Sequence, residues 1–508
     1  MSLRPPSSGA AEAPRRGAAF AFAAILTAAL GLRVFVALAS SALHPDEIFQ
    51  YLEQAHRHAF GYGIAPWEYR YGMRSWLLPL FLSAPMRVGA WVSPGTGLYL
   101  LLPKLVVPVL SLGVVLAAFR LGDRLSRTHA WVAMLVAATW YELAYFGGHT
   151  LTESAAVAMA LPGAALLGGD GTTRRQAALA GLLLGFAAIL RFHYLPAIGV
   201  FVLMSCARDW RGRWLPVVAG GAAALALGAA VDLAMGQAPF SWIVVNFQQN
   251  IVAHRAAGFG VSPPFTYIRA LGVQWGLCFA PILLLLLPVY RRYRALLAMA
   301  VVNLLVHSAI GHKEYRFVLL TTTILIVLAA IGSVEYLQRL KDRLTAGQAR
   351  LALPALVFLW LAASLGLVGS GRLASDWHVM EGGSKAMAAL RTEADLCGVG
   401  MVGVNFWESG GYSYLHRDVP LYVAEPSVDI GAQPKLAELL PAFNAIVVPA
   451  EKRADVPADY REIGCYGPER PSTAGAPGRV CSFVRAGGCR PEAAAAQRLD
   501  RVMLKQDW

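Results

Sequence analysis

Long apolar segments recur from residue 17 to residue 370, separated by short polar stretches that alternate between two kinds. One kind is basic: Arg4, Arg15 and Arg16; Arg120, Arg124 and Arg127; Arg174 and Arg175; Arg208, Arg211 and Arg213; Arg291, Arg292 and Arg294; and Arg339, Lys341, Arg343 and Arg350. Basic clusters of this kind hold the ends of membrane helices on the cytoplasmic side. All six fall on one side only if the segment 75–91 does not cross; Pro79, Pro85 and Arg87 suit it to a bent helix lying in the interface. The remaining spans are then 17–39, 97–119, 130–147, 151–168, 176–191, 193–206, 214–235, 266–289, 295–310, 317–337 and 351–370. That pattern predicts a polytopic all-α membrane protein of about eleven helices, each near the length a bilayer requires.

The second kind of polar stretch is richer in chemistry, and the same topology gathers it on the opposite face. HPDE (His44 to Glu47), GGHTLTES (Gly147 to Ser154), RFHY (Arg191 to Tyr194), the loop 232–264 and GHKEYRF (Gly311 to Phe317) all fall there. Ionisable groups near membrane depth are costly and face a cavity or one another, so their coincidence points to a site. The chain divides into a membrane part, 1–370, with a first exported loop over 40–96, and a tail, 371–508. In the tail, short strand-like runs such as GVGMVGV and NAIVVPA alternate with helical stretches, which predicts a small exported α/β domain. It carries Cys397, Cys465, Cys481 and Cys489, and an oxidising compartment allows disulfides among these four, with the close trio near the end expected to take part. Pro468 to Gly478 reads as a loop, and the closing AAAAQRLDRVMLKQ as a surface helix.

Composition sharpens the class. Hydrophobic residues make up 56% and charged residues 15%, a balance that excludes an ordinary soluble domain. The net charge of +13 is dispersed among the span-flanking clusters, which argues against nucleic acid as a partner. Cysteine and histidine spacing supports no metal site, and no Gly-rich phosphate loop is present.

The stretch His44 to Arg74 holds the first candidate residues. Pro45 suits a first helical position, with Asp46 and Glu47 in the first turn. At α-helical spacing Asp46, Gln50 and Glu53 share one face toward a cavity, while Phe49, Leu52 and Ala55 form a stripe for the bilayer surface. In GHKEYRF, His312, Lys313 and Arg316 are suited to hold a phosphate, with Glu314 orienting one of them. Arg191 is either a further phosphate partner or an interfacial anchor. Thr150 and Glu153 match the capping-box pattern, Glu153 being alternatively a supporting carboxylate.

HPDEIFQ, GYG, PWEY and RSWLLPL, followed far downstream by GHKEYRF, resemble the polyprenyl-phosphate-mannose-dependent α-mannosyltransferases of glycosyltransferase family 22. The likeness is greatest to the branch that adds the third or fourth mannose to glycosylphosphatidylinositol. It covers residues 18–370; Asp232, Asn246, Phe247 and Asn250 match more weakly, and the tail little. The resemblance implies a GT-C fold, a lipid-phosphate mannose donor, a glycolipid or glycan acceptor, no cofactor, and an acidic residue of the first exported loop at the active centre. Inverting transfer needs a carboxylate to take the acceptor's proton, and Asp46 is assigned that role. Glu47 orients its neighbours or holds an acceptor hydroxyl. Lys313, Arg316, His312 and Arg191 neutralise the leaving phosphate. His44, Gln50, Trp67, Glu68 and Glu314 are placed on the sugars, Trp67 by stacking or, like Tyr69, as an interfacial anchor. A transporter lacks support, since no inverted repeat is visible; a same-fold transferase for another sugar remains the nearest alternative. Ala-, Gly- and Arg-rich composition suggests a bacterial inner-membrane protein with its site toward the periplasm.

Overall fold

Every segment predicted to span is helical in the computed structural model, which describes residues 13–340, 343–369, 373–424, 435–469 and 478–505. Arg4, Lys341 and most of the 468–478 loop lie outside the described residues. The helices run α1 (Ala13–Ala39), α2 (Glu53–Phe60), α3 (Trp67–Arg70), α4 (Leu77–Val92), α5 (Leu98–Lys104), α6 (Val106–Asp123), α7 (Arg127–Thr139), α8 (Tyr141–Gly148) and α9 (Thr152–Leu167). They continue as α10 (Arg174–Leu190), α11 (Leu195–Cys206), α12 (Leu215–Ala234), α13 (Ser241–Phe247), α14 (Thr266–Trp275), α15 (Phe279–Leu284), α16 (Arg294–Ala309), α17 (Leu319–Leu340) and α18 (Ala346–Val368).

Six of the described helical segments are long and apolar enough to cross a bilayer, Thr266–Leu284 among them despite its break; the other predicted spans are shorter or sharply bent. The segment 130–147 breaks at Trp140, which is extended between α7 and α8. The carbonyls freed at the break find donors. Arg33, fully buried on α1, donates to Ala137 O and Ala138 O at 3.0 Å each, and the Ser364 hydroxyl donates to Thr139 O at 2.8 Å. A buried arginine in a membrane helix is thereby accounted for, since unsatisfied carbonyls there cost several kcal/mol. Between α8 and α9 the chain turns by 119° over three residues. The segment 266–289 breaks at Gly276, whose φ of +49° suits glycine. The 75–91 segment forms α4, a helix of 16 residues with Pro85 inside it and an exposed apolar face at Phe81, Val88 and Trp91.

The C-terminal unit is a small α/β domain. Helix α19 (Leu373–Asp376) and α20 (Glu381–Leu390) precede β1 (Val399–Val402), α21 (Gly411–Leu415), β2 (Leu421–Ala424), α22 (Leu436–Leu439), β3 (Ala445–Pro449), β4 (Arg461–Tyr466), β5 (Val480–Val484) and α23 (Leu499–Lys505). The sheet order is β2-β1-β3-β5-β4, parallel through β2, β1 and β3 and antiparallel through β3, β5 and β4. Both disulfides draw on the close cysteine trio, as expected: Cys465 bonds Cys481, its register partner across β4 and β5, and Cys489 bonds Cys397, a separation of 92 residues. One expectation fails here. The closing residues form no continuous surface helix. A kinked 3-10 turn, Pro491–Gln497, precedes α23, whose Val502 and Met503 are buried among the tail's apolar side chains.

Candidate active site

Four polar stretches converge around Asp46. Helical backbone begins at Pro45, as its fixed φ favours, but over Glu47–Leu52 it widens into a π-helical turn in which Glu53 N bonds Ile48 O rather than Phe49 O. The extra residue in the turn changes which side chains face together. Glu53 therefore leaves the face of Asp46 and Gln50; its carboxylate accepts from Ile64 N at 2.7 Å, Ser413 N at 2.7 Å and Tyr412 N at 3.2 Å, binding the C-terminal domain. Phe49, Leu52 and Ala55, expected on the bilayer, are buried in protein.

Asp46 stays at the opening with its side chain 23% exposed. Its Oδ2 accepts from Arg316 Nη2 at 2.6 Å, and its Oδ1 lies 3.5 Å from His44 Nδ1. The same guanidinium gives Nε to Glu314 Oε2 at 2.6 Å and lies 3.6 Å from Glu153 Oε1. Glu153, fully buried at the start of α9, also meets Arg191 Nη1 at 3.3 Å. Its capping box is not formed: Leu151 is the N-cap and no side chain caps the helix, so the supporting-carboxylate alternative is the one the structure adopts. Glu314 closes the ring by reaching His44 Nε2 at 3.6 Å and His312 Nε2 at 3.0 Å.

Charge pairing decides the protonation states. Burial works against ionised Asp46, but Arg316 and His44 outweigh it and hold the carboxyl well below its ordinary range. Glu314 is likewise held well below the usual carboxylate range, burial being overcome by Arg316 and His44. The hydrogen bond to Glu314 raises His312, whose other ring nitrogen faces Gly260 O at 3.3 Å, so the imidazolium satisfies both acceptors. Asp46 is thus permanently available as an anion at neutral pH.

Other predicted residues lie elsewhere. Glu47 is fully buried and saturated: it accepts from Leu43 N at 3.0 Å, His149 Nδ1 at 2.9 Å and Thr150 N at 2.7 Å. It clamps the turn to the bend between α8 and α9 and has no oxygen free for a substrate, which removes it from direct chemistry. Lys313 does not join the cluster; its ammonium donates to Ser308 O at 3.0 Å and to Ile310 O, closing the C-terminal end of α16. Arg316, enclosed by three carboxylates, has little charge left for a phosphate. Gln50 is buried with Oε1 unpartnered, and its backbone carbonyl accepts from Tyr69 OH at 2.8 Å, which seats α3 behind the turn. Glu68 on α3 lies 3.6 Å from Arg74; burial raises its pKa, against the pull of Arg74. Trp67 is half-buried.

Beside this network opens a small cleft, lined among others by Arg74, Arg191, His193, Thr152, Tyr51 and Asn246. Arg74 Nε, Arg191 Nε and His193 Nδ1 are buried there without a partner among the described residues. Three such nitrogens around one cleft are donors that an anion could satisfy. Of these, only Arg191 was singled out by spacing and charge. Arg74 and His193 sat inside recognised motifs, but nothing local distinguishes a cation that faces a cleft from one locked in an ion pair. The described residues include no group of three His, Cys, Asp or Glu side chains placed to hold a metal; the middle of the carboxylates is filled by Arg316.

This architecture, apolar helices with a carboxylate–arginine centre beside a small C-terminal domain, is that of a membrane glycosyltransferase of GT-C fold. ArnT from Cupriavidus metallidurans bound to undecaprenyl phosphate superposes with a TM-score of 0.56 at 14% identity, over 92% of this chain and 98% of that one. An Archaeoglobus fulgidus oligosaccharyltransferase gives a TM-score of 0.50 at 10% identity, over 84% and 69%. The model of the Alg9-like mannosyltransferase family matches residues 24–394, and the chain belongs to that family. GPI mannosyltransferase 3 of Yarrowia lipolytica is 26% identical over 81% of this chain and 79% of its own length. GPI alpha-1,2-mannosyltransferase 3 of Xenopus laevis is 26% identical over 58% of this chain and 57% of its own length.

Proposed function

We propose that this glycosyltransferase moves mannose from a polyprenyl-phosphate donor to a hydroxyl of a glycolipid or glycan, inverting the anomeric centre to give an α-mannoside. The observation that carries the reading is the juxtaposition of an anionic, partly open Asp46 with a cleft beside which Arg74 Nε and Arg191 Nε have no hydrogen-bond partner among the described residues, although each guanidinium also faces a glutamate. The donor's phosphate sits against Arg74 and Arg191, with His193 beside them, and leaves as a dianion without needing a proton. The acceptor hydroxyl approaches the opposite face of the sugar and hydrogen-bonds Asp46. A carboxylate held at low pKa is a weak base, yet it suffices: in an oxocarbenium-like transition state the hydroxyl becomes acidic as its bond to carbon forms, and its proton passes to Asp46 late. Arg316 is the positioning group, fixing the Asp46 carboxylate through Nη2 while Glu314 and Glu153 fix Arg316.

The protein is multi-pass, and we place its site on the exported face. The two disulfides of the adjoining domain support that side, because such bonds persist in oxidising compartments. Together with the composition this favours a bacterial inner membrane and the periplasm.

The test is transfer of labelled mannose from polyprenyl-phosphate mannose to membrane glycolipid extracts by purified wild type and Asp46→Asn. Loss in the variant alone supports both donor class and base. Equal transfer by the two moves the base elsewhere, and no transfer by folded wild type with varied acceptors refutes this donor.

A further inference from the structure

The loop between α13 and α14 crosses from one part of the site to another. At its start Asn246 lines the cleft and its amide lies 3.5 Å from Met73 O; at its end Ser262 N donates to Gly311 O at 2.9 Å, and Gly260 O faces His312. Pinned at both ends, the loop carries Arg255 over α3. His254, just before it, holds φ at +55°, a conformation that non-glycine residues adopt at a cost and that recurs at functional positions.

Arg255 has no carboxylate partner among the described residues. Its guanidinium carbon lies 4.9 Å from the centre of the Tyr71 ring and 5.8 Å from that of Trp67, and its Nη1 is shut off from solvent with no acceptor. Both rings keep part of their surface open, Tyr71 to the extent of 38%. A planar cation with an unfilled donor beside two partly exposed aromatic rings has the composition of a site for a sugar that bears an anionic group: the rings take the apolar sugar face, and the fork takes the charge. Arg316 cannot supply that charge, being neutralised by its three acids.

We propose that Arg255, Trp67 and Tyr71 form a subsite for a phosphate-bearing sugar, which makes Arg255 a specificity-determining residue. Because the donor's single phosphate is placed on Arg74 and Arg191, the phosphate at this subsite is that of a phosphorylated acceptor glycan. That source rests on the transferase reading above, whereas the existence of the subsite does not.

Calorimetric titration of the full-length protein in nanodiscs with mannose 6-phosphate, mannose and inorganic phosphate tests the subsite without turnover. Wild type is expected to bind mannose 6-phosphate at least tenfold more tightly than either control. Arg255→Ala should lose about tenfold and Arg255→Lys should recover part of it, since a single charge-assisted hydrogen bond is worth about that factor. Trp67→Ala should reduce the affinity toward that for inorganic phosphate. Unchanged mannose 6-phosphate binding by Arg255→Ala, with wild-type melting temperature, overturns the proposal. In the transfer assay, a KM rise for a phosphorylated acceptor, larger than any fall in kcat, assigns the phosphate to the acceptor. A rise confined to polyprenyl-phosphate mannose overturns the acceptor assignment and moves the donor's phosphate from Arg74 and Arg191 to Arg255, and a rise in neither overturns the subsite. If wild type binds the sugar phosphate through Arg255 yet transfers no mannose, the transferase reading fails and the subsite stands.

Discussion

Asp46 and Glu53 are acids of one short stretch, seven positions apart, and their surroundings differ in kind. Asp46 sits in a ring of charges, is partly open, and is kept ionised by Arg316 and His44 despite its burial. Glu53 is fully buried, forms no ion pair among the described residues, and is held by three backbone N–H groups, two of them from the C-terminal domain. Burial raises its pKa and those donors only partly offset the rise. A charged partner with an opening makes a group available for chemistry; saturation by backbone donors in a closed interface makes it a joint.

Breaking the first member should have the largest effect. Asp46→Asn is expected to lower kcat by about 10²–10⁴, the usual contribution of a general base, while the melting temperature barely moves. Transfer at wild-type rate would show that the charged ring is structural after all. Glu53→Gln should do the reverse. Its amide turns a donor toward backbone donors, so we expect about 2–3 kcal/mol lost from docking of the C-terminal domain, seen as lower melting temperature and faster proteolysis of the tail. The kcat of molecules that remain folded should fall far less than in Asp46→Asn.

Acid separates the two regions more gently. Beside Glu53, His56 Nδ1 faces Tyr62 O at 3.1 Å and its Nε2 meets His416 Nδ1 at 3.0 Å, a geometry that uses neutral rings. Burial lowers His56 to about 3, and burial with Arg391 lowers His416 to about 4. For a base whose folded pKa is depressed, the unfolded chain binds protons first, so stability is full above about pH 6.5 and declines as pH falls toward 4. Glu53, with a raised pKa, acts in the opposite sense and is relieved by protonation, while Asp46, with a lowered one, keeps its contribution until pH falls below 3.8 toward its folded pKa. Hydrogen exchange over residues 410–416 should therefore accelerate between pH 6.5 and 4 in wild type and lose that pH dependence in His416→Asn. A flat profile in wild type would remove the histidine pair from the joint. The smallest effect belongs to Lys313→Ala: since the ammonium closes a helix end, we expect less than about 1 kcal/mol of stability and transfer within a few-fold of wild type. Loss of donor affinity in that variant would return the phosphate to the GHKEYRF turn.

Hydropathy and charge alternation were enough to locate the helical segments, the α/β tail and the two motifs that meet at the centre, because each is a local property of a few consecutive residues. The composition of the site was legible for the same reason: His44, Asp46, Glu314 and Arg316 stand together as the motifs suggest. What local pattern could not carry was partnership. The 3.6-residue period put Glu53 beside Asp46, and one π-helical turn, stabilised by packing against α2 and the tail, sent it to the other side. Arg316 was a phosphate-holding cation by sequence and became the counter-ion of an aspartate 270 residues away. Glu47 and Lys313 were equally charged in the sequence and were spent on backbone groups of their neighbours. Cys489 bypassed two nearer cysteines for one 92 residues back. Sequence by itself determined where the chain is helical, apolar or charged; the tertiary structure alone decided which charges cancel and which remain, because Coulomb energy and hydrogen bonding depend on separations of a few ångströms that only the packed chain defines.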